Sequence, residues 1–85
     1  MAAAADMSAE DRQAMIEGMV GQLQERLASE GGSAEEWAKL INALGVLGRK
    51  DEAQAIYDEA KGRFAGRDGD LSALAAAAQG AGLTP

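Results

Sequence analysis

Met15, Met19, Leu23 and Leu27 recur every four residues, Ile16 and Val20 stand beside them, and Glu17, Gln24 and Glu25 occupy the other side. An apolar stripe at this spacing predicts an amphipathic helix over about 9–29, with the stripe, methionines included, turned into a core. Ser8 followed by Asp11 supplies its start, because a hydroxyl can accept from free amides and acids suit the positive end of the helix dipole. Gly31 and Gly32 end it.

Ser33-Ala34-Glu35-Glu36 then has the form of a capping box, opening a second helix over about 34–47. Trp37, Leu40, Ile41, Leu44 and Leu47 form its apolar face, and Gly48 stands where helices commonly leave through a left-handed residue. A third helix over about 51–64 places Ala53, Ile56, Tyr57, Ala60 and Phe64 on one side, with Glu59 one turn before Arg63. The turn Gly48-Arg49-Lys50 is too short for anything but antiparallel packing. Residues 66–70 form a polar connector, with Asp70 as the expected cap of a last helix over about 71–79, closed by Gly80 and Gly82.

The pattern repeats at 34 residues. Trp37 falls opposite Leu71, Leu40 opposite Leu74, Ile41 opposite Ala75, Leu44 opposite Ala78 and Gly48 opposite Gly82; Met19 and Leu23 fall opposite Ala53 and Tyr57. A hairpin that repeats in this way buries its face by stacking. The fold expected is all-α: a four-helix α-solenoid fragment, with one complete hairpin between a first helix of B type (second of a pair) and a last helix of A type (first of a pair). Its organisation is a flexible segment 1–8, a single helical domain 9–82 and a flexible tail 83–85.

With 85 residues, three aromatics and a formal charge of −6, the chain has a thin core and no clustered basic surface for a phosphate backbone. It contains neither Cys nor His, which removes thiol nucleophiles, imidazole bases, disulfides and the usual zinc ligands. No cofactor or metal and no catalytic residues are expected. The acidic pairs Glu35/Glu36 and Asp51/Glu52 stand at helix starts, where carboxylates serve the dipole. The compartment is left open by these features, and no stretch is long and apolar enough to span a membrane.

Trp37, Leu40, Leu44, Gly48, Ala53, Tyr57 and Ala60 stand at the spacing of a tetratricopeptide repeat, which the hairpin from Ser33 to Phe64 resembles; Ile41, Leu44 and Ala65 depart from the commonest residues. The stretch Met15 to Leu27, followed by Trp37, Leu40, Leu47-Gly48, Ala53 and Ala60, further resembles the periplasmic tetratricopeptide domain of bacterial c-type cytochrome biogenesis factors of the CcmI/CycH kind. That resemblance implies a non-enzymatic, chaperone-like module that binds the C-terminal helix of apocytochrome c. It implies a periplasmic location, as the soluble part of a membrane-anchored protein; without it the expectation is cytoplasmic. The family's groove, carried onto this chain, consists of Ala38, Lys39, Asn42 and Val46 from the second helix and Ser72, Ala76 and Gln79 from the fourth. Lys39 and Asn42 match part of the clamp that some members use for a peptide carboxylate. The alternative is a tetratricopeptide adaptor or self-associating scaffold with another protein partner, a homodimer included, since two half repeats leave both ends open.

Overall fold

The computed structural model describes residues 8–83; residues 1–7 of the expected flexible segment and 84–85 of the expected tail lie outside them. Four helices follow in order: α1 (Ala9–Ser29), α2 (Ala34–Val46), α3 (Lys50–Arg63) and α4 (Asp68–Gly80), with no strand among the described residues. The first two starts follow the sequence closely. The Ser8 hydroxyl accepts from the Asp11 amide at 3.1 Å. Ser33 and Glu36 complete a reciprocal capping box, the Ser33 hydroxyl accepting from the Glu36 amide at 3.2 Å and the Glu36 carboxylate from the Ser33 amide at 3.3 Å.

The 34-residue period holds in the backbone. Helix α2 begins at Ala34 and α4 at Asp68; α1 ends at Ser29 and α3 at Arg63; α2 ends at Val46 and α4 at Gly80. The exit of α2 is built from amides of Leu47, Gly48 and Arg49 donating to carbonyls of Ala43, Gly45 and Leu44, and the exit of α4 repeats all three bonds from Ala81, Gly82 and Leu83 to Ala77, Gln79 and Ala78. Gly48 and Gly82 take φ of 76° and 79°, the left-handed conformation that closes such an exit at little steric cost.

Helix α4 therefore starts three residues ahead of the predicted Leu71. Asp70 lies inside its first turn and caps nothing; Arg67 precedes the helix and makes no side-chain cap bond. Starting at Asp68 keeps α4 in the register of α2, which carries Leu74, Ala77 and Ala78 into the core, and Asp68 and Asp70 both sit at the positive end of the dipole. Leu83, beyond the helix, is half-buried against the core.

The core runs along the stack: Val20 and Leu27 from α1; Trp37, Leu40, Ile41 and Leu44 from α2; Ala53, Ile56, Tyr57, Ala60 and Phe64 around α3; Leu74, Ala77, Ala78 and Ala81 around α4. Helix α2 is its centre, packing against each of the other three. The methionines depart from expectation. Met15 and Met19 are 48% and 63% exposed, because the α1 stripe meets the core through Val20 and Leu27, with Ile16 and Leu23 half-buried beside them, and no other described helix covers the methionine edge.

Candidate functional site

Helices α2 and α4 run side by side with their C-terminal ends in close approach. A Cβ added at Gly45 would stand 2.7 Å from the Ala81 Cβ, and one added at Gly80 would stand 3.5 Å from Asn42 Oδ1. In this parallel pair Ala38 corresponds to Ser72 and Asn42 to Ala76 in the 34-residue register, so the two helices offer equivalent stripes. Asn42, Ser72, Ala76 and Gln79 are exposed, whereas Ala38 is half-buried against the core.

Two of the seven expected groove residues stand apart from the others. Lys39 projects toward α1, where it lines a different groove, and Val46, 78% exposed, borders a hollow with Ala9, Arg12, Gln13, Ile16 and Leu47. For Lys39 one residue of separation explains this: it is a single residue past Ala38, a rotation of about 100° around the helix. Asn42 and the α4 residues Ser72, Ala76 and Gln79 stand exposed on this helix pair.

An apolar concavity lies between α1 and α2. It has a volume of about 470 Å³ and is walled by Ile16, Met19, Val20 and Leu23 with Ala43, while Gln22, Arg26 and Lys39 stand at its rim. The sequence contained its signal in the 34-residue comparison: Met19, Gln22 and Arg26 are longer or more polar than Ala53, Ile56 and Ala60 at the equivalent positions of the next helix.

Two ion pairs link α1 to its neighbours beside the groove. Arg26 binds the Glu36 carboxylate, tying the end of α1 to the start of α2, and Arg49 donates to Glu17 at 2.8 Å, tying the middle of α1 to the α2–α3 turn. The Glu36 carboxyl is held below its ordinary value, first by the Ser33 amide and then by the Arg26 guanidinium. Arg63 lies over the Trp37 ring, 5.0 Å from its centroid, and pairs with Glu59 at 2.9 Å. Among the described residues no polar or charged side chain is buried, and no three carboxylates come together in a way that could hold a metal ion. Nor is any described helix long and apolar enough to cross a membrane.

No protein-family model matches the chain, and no solved structure matches it. Two curated proteins do. Over 59 residues, 68% of this chain, the sequence is 44% identical to the cytochrome c-type biogenesis protein CycH of Rhizobium meliloti (strain 1021). Over 61 residues, 72% of this chain, it is 39% identical to the cytochrome c-type biogenesis protein CycH of Bradyrhizobium diazoefficiens. Each match spans 16% of the relative's length, so this helical stack is similar to one portion of a much longer cytochrome c-type biogenesis protein.

Proposed function

We propose that the chain is a tetratricopeptide-type, protein-binding module of c-type cytochrome biogenesis, and that it holds a helix of apocytochrome c before haem is attached. The similarity to two CycH proteins carries this reading. The 34-residue repetition of helix ends and exit hydrogen bonds supports the tetratricopeptide assignment. The work is done in the periplasm and requires no catalysis: the binding of an amphipathic helix by apolar anchors at helical spacing is sufficient chemistry.

The partner helix lies along α2 and α4, over Asn42, Ser72, Ala76 and Gln79, where small side chains leave room for its bulkier ones. Titrating the labelled chain with a peptide copying the C-terminal helix of apocytochrome c should shift the amide signals of Asn42, Ser72 and Gln79 in a saturable way. Unchanged signals at high peptide concentration would sink this reading, and shifts confined to Met19 and Leu23 would move the site to the other groove.

A further inference from the structure

The α1–α2 groove has a template for its occupant elsewhere in the same chain. Shifted by 34 residues, Met19, Leu23 and Arg26 become Ala53, Tyr57 and Ala60, which α3 buries, and Ala43 becomes Ala77, which α4 buries. The helix that packs against both α3 and α4 is α2, a helix of A type. The groove is thus the seat of an A-type helix ahead of α1. At the opposite end α4 is such a helix with no described helix packed on its far side: Leu71 and Ala75 are only half-buried, although their equivalents Trp37 and Ile41 are 1% and 0% exposed.

The two open ends complement each other in volume. Between α2 and α3 the bulk belongs to α2, in Trp37 and Ile41, facing a helix with Ala53 and Ala60 at its small positions. At the ends this is reversed: α1 carries Met19 and Arg26 where α3 has the two alanines, and α4 carries Leu71 and Ala75 where α2 has Trp and Ile. Such an exchange keeps the space between the helices filled. Charge agrees. A copy of α4 laid parallel to α2 brings Asp68 to the end of the groove where Lys39 stands beside the Arg26–Glu36 pair.

We infer that the α1–α2 groove receives α4 of a second copy of this chain, joining chains head to tail. The contact is heterologous, so each added copy still offers one free end, and association proceeds beyond the dimer into rings or filaments. It leaves the stripe of Asn42 and Ser72 outside the joint.

Sedimentation of the whole chain from the micromolar to the millimolar range tests this, alongside Met19→Glu, which blocks the groove, and Ala75→Arg, which blocks α4. The wild type should gain mass with concentration past the dimer. Each variant alone should associate at least about tenfold more weakly, the loss expected when a charge is forced into an apolar joint. An equimolar mixture of the two should stop at a dimer, because one intact groove and one intact α4 remain. Circular dichroism checks the fold, and Leu71→Gln replaces Ala75→Arg if helicity falls. A wild type that stays monomeric throughout overturns the inference. So does self-association of Ala75→Arg at wild-type strength, which would mean that grooves face one another, and so does a mixture that remains monomeric. Because Met19→Glu leaves the α2–α4 stripe intact, its titration with the apocytochrome c helix reports on the proposed function separately.

Discussion

Gly45 approaches Ala81 so closely that a Cβ at position 45 would lie 2.7 Å from the Ala81 Cβ and 3.0 Å from its Cα. The contact sets the separation of α2 and α4, and with it the width of the proposed partner surface.

Gly45→Ala should therefore destabilise the fold. In an open helix the change is favourable by about 1 kcal/mol, but overpacking against backbone costs about 1–3 kcal/mol. Gly18→Ala in α1, where nothing lies within 4 Å of the new Cβ, isolates the favourable part and should stabilise by up to about 1 kcal/mol. Thermal unfolding of both variants should shift in opposite directions; equal shifts would show that α2 and α4 are not held at this separation.

Trp37 is 1% exposed, yet its indole N–H meets no acceptor among the described protein atoms. Trp37→Ala should cost about 3–5 kcal/mol, most or all of the stability of a domain this small. Trp37→Phe should cost much less, since it keeps the ring and removes a buried donor whose burial costs about 1–3 kcal/mol. Urea unfolding measures both, and equal losses would refute the assignment of Trp37 to packing.

The attachment of α1 depends on burial more than on charge. Leu27→Ala should cost about 2–5 kcal/mol, because Leu27 is 0% exposed. Glu17→Gln should cost no more than about 1 kcal/mol, since both side chains of the Arg49 pair remain more than a third exposed. Hydrogen exchange in α1 should accelerate strongly in the first variant and barely in the second.

Glu36 makes stability depend on pH at the acid end. Its folded carboxyl titrates below the ordinary value, so the stabilisation is complete above the unfolded pKa of about 4.3 and is lost as the pH falls through the lower folded value. The melting-temperature advantage of wild type over Glu36→Gln should shrink steadily below about pH 4. An advantage that does not change with pH would mean that the carboxylate contributes nothing through its charge.

The reach of the sequence differs between the two surfaces. Lys39 follows Ala38, and the family resemblance puts both in one groove, but the rotation of a single residue carries Lys39 to the α1 side. Met19 has the periodicity of a core residue, and periodicity reports only that a face is apolar. It says nothing about whether a helix is there to cover it.

What the chain's own letters determined was local: the Ser8 and Ser33 caps, the left-handed exits at Gly48 and Gly82, the apolar stripes and the 34-residue period. Each of these follows from hydrogen bonds and dihedral preferences within a few neighbouring residues, or from counting along the chain. The tertiary structure decided the start of α4, which the register of α2 moved past Asp70, the close passage of Gly45 over Ala81, and the open groove at Met19. Those outcomes depend on which helices are present to pack and how near they come, a matter of shape in three dimensions that no single helix's pattern contains.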